Sequence, residues 1–118
     1  MINNHSIVNV LVHFVFVTKW RKNCAAPLAS EVRILEICKN LNCNLIDWSY
    51  DRNHYHMLIE LHSSISSAVF ACKMKSLLSG WLARNFPDWN CFQTGYYAAS
   101  CSATSFTKIL NYIRSQSL

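Results

Sequence analysis

Glycine and proline are almost missing from this 118-residue chain, with two of each. That scarcity, with no Ser/Gly-rich tract, leaves no place for a flexible linker between domains. No low-complexity tract or internal repeat interrupts the sequence, so it reads as one domain over residues 1–118. Acidic residues are also few, six against eleven Lys and Arg, for a formal charge of +5. The apolar run Ile7 to Val17 falls short of the roughly 20 residues needed to cross a bilayer, and no basic segment precedes it as in a signal peptide. The six cysteines, Cys24, Cys38, Cys43, Cys72, Cys91 and Cys101, form no C-x-x-C pair. Reduced thiols in a cytoplasmic protein without a membrane partner are therefore expected. No P-loop, Rossmann glycine pattern, zinc-finger spacing or serine-hydrolase elbow is present, so these nucleotide, zinc and acyl-transfer chemistries have no motif to rest on.

Hydrophobic residues make up 52% of the chain, enough to build a compact core. Ile7 to Thr18, rich in Val and Phe, predicts a first strand. A helix follows from Pro27 to about Leu41, with Leu28, Ile34, Leu35, Cys38 and Leu41 at helical spacing. Leu45 to Tyr50 predicts a second strand, Asp51-Arg52-Asn53 a turn, and His54 to His62 a third strand. Ser64 or Ser66 can cap a long helix that Pro87-Asp88 ends near Phe86. Tyr96 to Cys101 predicts a fourth strand, and Thr104 caps a last helix to about Gln116 with an apolar stripe of Phe106, Ile109, Leu110 and Ile113. The resulting βαββαβ order is that of an α+β, ferredoxin-like antiparallel sheet with two helices on one face, plus one extra helix.

The third strand alternates between two faces. Tyr55, Met57, Ile59 and Leu61 point to the helices, whereas His54, His56, Leu58, Glu60 and His62 point away. The second set is available for chemistry, and the last helix or a second subunit is expected to lie near it, because a bare sheet face rarely stays exposed. Tyr112 and Gln116, four apart on the last helix, share a side of it. At 100° per residue the apolar stripe centres about 110° from Tyr112 and about 70° from Gln116, so both flank the buried face. Two imidazoles, an amide oxygen and a phenol are the parts of a metal site with a nucleophile beside it, a set suited to phosphodiester transfer. His13 reads as a hydrogen-bonded sheet residue, His62 as a bystander, and Tyr50, Tyr55, Tyr96 and Tyr97 as core or sheet residues. The basic residues fall in two groups, Lys19, Arg21 and Lys22, then Lys73 and Lys75. With Trp20 and Trp81 nearby they suit a phosphate backbone whose bases stack on rings.

These residues resemble a known family. His13-Phe14-Val15-Phe16-Val17-Thr18-Lys19-Trp20-Arg21-Lys22 looks like the opening strand and basic turn of the HUH single-tyrosine transposases, small enzymes of bacterial and archaeal insertion sequences that move as single-stranded DNA. Asp51 to Ile59 is similar to their histidine-hydrophobic-histidine strand, and Lys75 followed by Phe86-Pro87 to their second helix. Gly95-Tyr96-Tyr97 resembles their Gly-Tyr-aromatic strand, and Tyr112-Ile113-x-x-Gln116 their catalytic helix.

The resemblance implies a DNA transposase. In it, His54, His56 and Gln116 bind a divalent metal, Mg²⁺ or Mn²⁺, and Tyr112 attacks the phosphate to give a 5′-phosphotyrosine link and a free 3′-hydroxyl. Lys19, Arg21, Lys22, Lys73 and Lys75 are candidate DNA contacts. The implied partners are single-stranded DNA with hairpins at the element ends and a second copy of the chain, in a homodimer of a prokaryotic cytoplasm, on the nucleoid when bound to DNA. Imidazole suits Mn²⁺ better than Mg²⁺. Two departures affect turns rather than chemical groups: Arg52-Asn53 stands where the family has Pro-Asp, and Ser102 where it has glycine. The alternatives are a decayed or domesticated copy that binds hairpins without cutting, and a ferredoxin-like metal-binding or structural domain with no nucleic-acid role.

Overall fold

Val12, Phe14 and Phe16 alternate along the first strand with His13, Val15 and Val17, and that period of two sets the two faces of the sheet. The computed structural model describes residues 10–19, 28–62, 64–89, 91–101 and 106–115. Within them the elements are β1 (Val10–Val17), α1 (Ser30–Asn40), β2 (Asn44–Asp51), β3 (His54–Leu61), α2 (Ser67–Asn85), β4 (Tyr97–Cys101) and α3 (Phe106–Ser115). The sheet order is β2-β3-β1-β4, and every pairing is antiparallel. This is the expected α+β, ferredoxin-like arrangement, with α3 added.

The core lies between one sheet face and α1 and α2. Phe14, Phe16, Tyr55, Met57 and Ile59 from the strands meet Ile34 and Ile37 of α1 and Phe70, Met74, Leu78 and Leu82 of α2. Burying side chains of this size contributes about 1.5–3 kcal/mol each. The polar ends of the large aromatics are satisfied. Tyr55 Oη and Ser30 Oγ are 2.7 Å apart, Trp48 Nε1 donates to Glu31 at 2.7 Å, and Trp89 Nε1 donates to Ser79 at 2.9 Å. Of the two expected caps of α2, Ser66 is the one used, its hydroxyl accepting from the Val69 amide at 3.1 Å.

Two details differ from the sequence reading. The buried side of α1 is Ser30, Ile34, Ile37 and Cys38, while Leu28 and Leu35 are exposed with Val32. Only a narrow stripe of a helix can touch a sheet, and Leu35 falls outside it. The start at Pro27, the cap at Thr104 and the strand residues before Val10 lie outside the described residues. In β2 the register slips between Leu45 and Asp47, so Ile46 is an extra, unpaired residue. That bulge brings Asp47, Ser49 and Asp51 onto one face while Leu45, Trp48 and Tyr50 keep the core face.

The five cysteines among the described residues are free thiols. Burial, with Cys43 adding to it, pushes the Cys38 thiol up to about 12. No helix among the described residues is long and apolar enough to cross a membrane.

Candidate nucleic-acid processing site

The alternation of β3 puts His54 and His56 on the sheet face opposite α1 and α2, with ring centroids 6.0 Å apart and nearly parallel planes. Their partners in β2 are Asp51 and Ser49, and in β1 Val17 and Val15. His56 is buried, and His54 is partly exposed.

Helix α3 covers this face. Ile113 is fully buried beneath it, and Arg114 Nε donates to Asp47 at 2.7 Å across an exposed edge. Tyr112 flanks the apolar stripe, as its angular position predicts, and the residue is 47% exposed. The ring stands edge-on to His56, with centroids 5.6 Å apart, and to His13 at 6.0 Å. The expectation that a last helix approaches the histidine face is met within one chain. Gln116, the fourth residue of the expected set, lies outside the described residues, as do Trp20, Arg21 and Lys22.

Electrostatics favours neutral rings at the centre. Burial first, then the neighbouring His13 and His54, lowers the His56 pKa from 6.5 to about 4, opposed by Asp51. Burial likewise lowers His13. Neutral imidazoles near pH 7 keep lone pairs for a metal or a proton. His13 enters the site as the hydrogen-bonded sheet residue expected of it, its Nε2 lying 3.3 Å from Nδ1 of His56. Ser49 Oγ, opposite His56, is buried without a hydrogen-bond partner.

Among the described residues no group of three or more His, Cys, Asp and Glu is placed to hold a divalent cation. The donor set read from the sequence, two imidazoles and an amide, does not require such a group. Its two imidazoles are on one face, and a buried hydroxyl beside them lacks a protein partner. These two imidazoles would suit an ion that took its other ligands from Gln116, substrate oxygens and water.

One exposed aromatic, Tyr97, joins the face. Tyr97 of β4 pairs with Val15 and stands edge-on to His13 at 5.8 Å, while the adjacent Tyr96 packs toward Phe14 and Phe16 on the core side. Beside them Val15, Val17, Gln93, Thr94, Gly95, Tyr96 and Tyr97 line a shallow groove of about 270 Å³. The strand reading placed Tyr97 in the sheet but could not show that its ring is exposed at the site.

The basic residues divide by side of the sheet. Lys19 is exposed at the end of β1, and its amide donates to the Cys91 carbonyl at 2.7 Å. Lys73 and Lys75 belong to α2, across the sheet from the histidines, and Lys73 is exposed. The Lys75 ammonium donates to the carbonyls of Gln93 and Gly95, each at 2.7 Å, holding the bend where Gly95 has φ +86°. Trp81 packs against Phe86 with ring centroids 5.6 Å apart, which commits part of its ring to the fold. His62 bonds with Ser64 at the strand end, away from the pair.

Comparison with known proteins gives the class, that of the transposases, which process DNA. The family model described as "Transposase IS200 like" matches residues 6–116, and the chain belongs to that family. No curated protein sequence matches it. Among solved structures, one assigned as a transposase from Deinococcus radiodurans R1 superposes with TM-score 0.69 at 17% identity, over 93% of this chain and 92% of that one. A REP-associated tyrosine transposase bound to a REP hairpin superposes with TM-score 0.63 at 10% identity, over 89% of this chain and 64% of that one. This chain thus spans a little under two thirds of the hairpin-bound protein. At such identities the likeness establishes the fold.

Proposed function

We propose that this transposase cleaves and rejoins single-stranded DNA at insertion-sequence ends, with Tyr112 as nucleophile and His54, His56 and Gln116 as the protein ligands of Mg²⁺ or Mn²⁺. The observation that carries the reading is the placement of the Tyr112 ring against His56, on the sheet face the core helices do not use. When bound, the ion polarises the scissile phosphate and steadies the departing 3′-oxygen. The tyrosine oxygen bonds to phosphorus, the bond from phosphorus to the 3′-oxygen breaks, the phenol gives up its proton and the leaving oxygen takes one up. Energy conserved in the phosphotyrosine lets a 3′-hydroxyl at another end reverse the step without a nucleotide.

The chain's own groups serve this reaction in three ways. Partial exposure of Tyr112 lets an incoming phosphate reach it, while Ile113 holds the helix. Neutral His56 offers a lone pair rather than a proton near pH 7. The groove beside Tyr97 offers an aromatic wall for an unstacked base next to the phosphate, in the way single-strand binders use exposed rings. Hairpin recognition is supported by the hairpin-bound structural relative and by the basic groups that include Lys19, Arg21, Lys22 and Lys73, whereas the Lys75 ammonium is committed to the Gln93 and Gly95 carbonyls.

The test is incubation with Mn²⁺ and labelled single-stranded DNA bearing the hairpin ends that flank the gene, followed by a denaturing gel. A band at protein-plus-DNA mass is expected that disappears with EDTA and in Tyr112→Phe, while hairpin binding changes less than about threefold. An adduct that survives in Tyr112→Phe overturns the nucleophile. Binding with no adduct from the wild-type protein makes the chain a hairpin binder.

A further inference from the structure

His13 is buried to 5% exposure at the centre of the site, a costly place for a polar ring unless its nitrogens are used. It pairs with Leu58 in the β1–β3 register while His56 pairs with Val15, so the two histidines are diagonal neighbours, within reach of long side chains. Nε2 of His13 is 3.3 Å from Nδ1 of His56, the ring centroids are 5.6 Å apart, and the planes differ by 21°. An imidazole nitrogen lies about 1.15 Å from its ring centroid, as bond lengths dictate. The centroid separation therefore equals the N···N distance plus one ring radius at either end, so each nitrogen points straight at the other. Two rings converging on a common ion would meet at an angle and bring their centroids closer. The head-on geometry is that of one N–H···N hydrogen bond with a single proton between the rings.

A histidine whose Nδ1 accepts that proton carries its own on Nε2 and has no lone pair left to offer; one whose Nδ1 donates leaves Nε2 free. We infer that His13 is a positioning residue: its Nε2 accepts the Nδ1 proton of His56, which fixes the His56 tautomer and aims the Nε2 lone pair at the metal. The inference rests on the metal reading proposed above for His56. His13 is suited to the part because its own ring is held from two directions, edge-on by Tyr97 and Tyr112 at 5.8 and 6.0 Å. Outer-shell acceptors of this kind typically affect metal affinity 10–100-fold.

Long-range ¹H–¹⁵N spectra of the metal-free protein near pH 7.5 read the tautomer directly, and Mn²⁺ titration followed by electron paramagnetic resonance reads the affinity. In the wild-type protein His56 is expected to carry its proton on Nδ1. His13→Phe, which keeps a ring but removes the acceptor, is expected to lose that preference and weaken Mn²⁺ binding about tenfold or more. His13→Gln, whose amide oxygen reaches a similar point, is expected to restore both, which separates proton placement from packing. A His56 proton on Nε2 in the wild-type protein overturns the inference, as does an unchanged tautomer in a folded His13→Phe. A wild-type protein with the expected tautomer but no Mn²⁺ affinity upholds the His13 hydrogen bond and fells the metal reading instead.

Discussion

His56 is where burial and chemistry meet most closely. Its pKa is lowered to about 4 from 6.5, chiefly by burial and then by His13 and His54, while an unfolded chain titrates near the ordinary value. Between those values the unfolded state binds a proton that the folded state refuses. The stability of the metal-free protein is therefore expected to hold above pH 6.5 and fall as the pH drops toward 4. Urea unfolding at pH 7 and at pH 4.5 checks this, with His56→Gln expected to lose less stability over that interval. Equal losses in the two proteins would place the titrating group elsewhere. The His54–His56 pair was visible at this scale because i and i+2 on a strand always share a face. The contact between His13 and His56, 43 positions apart, depends on strand pairing that local spacing does not specify.

Among the elements, the β2–β3 hairpin aligns the site, since Asp51 pairs with His54 and Ser49 with His56. Its turn begins at Arg52 with φ +58°, a left-handed conformation that Asn tolerates better than a long side chain. Arg52→Asn is expected to stabilise the protein by about 0.5–1 kcal/mol if the turn alone is relieved. Denaturant unfolding gives the answer, and a loss of stability would show that the Arg52 side chain contributes more than the strain costs. The turn was legible in Asp51-Arg52-Asn53. The bulge at Ile46 was not, because Leu45-Ile46 is a pair of adjacent apolar residues compatible with either phase. The phase that puts Asp47 under Arg114 emerges from pairing with β3 and from α3. Similarly, Leu28 and Leu35 have the spacing of a buried stripe, but the sheet and α2 select the side that carries Ile34 and Ile37.

For the whole molecule, the consequence of α3 lying on its own sheet is that one chain presents both Tyr112 and His56. Catalysis is accordingly expected in cis, whereas the family resemblance implies homodimers in which the catalytic helix of one copy can serve the histidines of the other. Mixing Tyr112→Phe with His56→Ala protein, after exchange of subunits, should give no covalent adduct above that of either variant alone. Recovery of a substantial fraction of the wild-type adduct would mean that α3 of one copy serves the histidines of another. The experiment needs wild-type adduct formation as its reference, so it tests the arrangement separately from the proposed chemistry.

Periodicity, turn residues and the order of elements were enough to read the α+β, ferredoxin-like sheet, the face on which His54 and His56 stand, and the flanking position of Tyr112, because those properties depend on residues close in sequence. Folding in three dimensions supplied the rest. Pairing of β1 with β3 brought His13 to Nδ1 of His56, and closure of α3 over β2 and β3 brought Tyr112 to both histidines. Pairing of β4 with β1 put Tyr97 beside them. Such contacts join segments far apart in the chain, and their geometry follows from how the hydrophobic faces of the sheet and helices bury one another, a property of the assembled chain rather than of any local stretch.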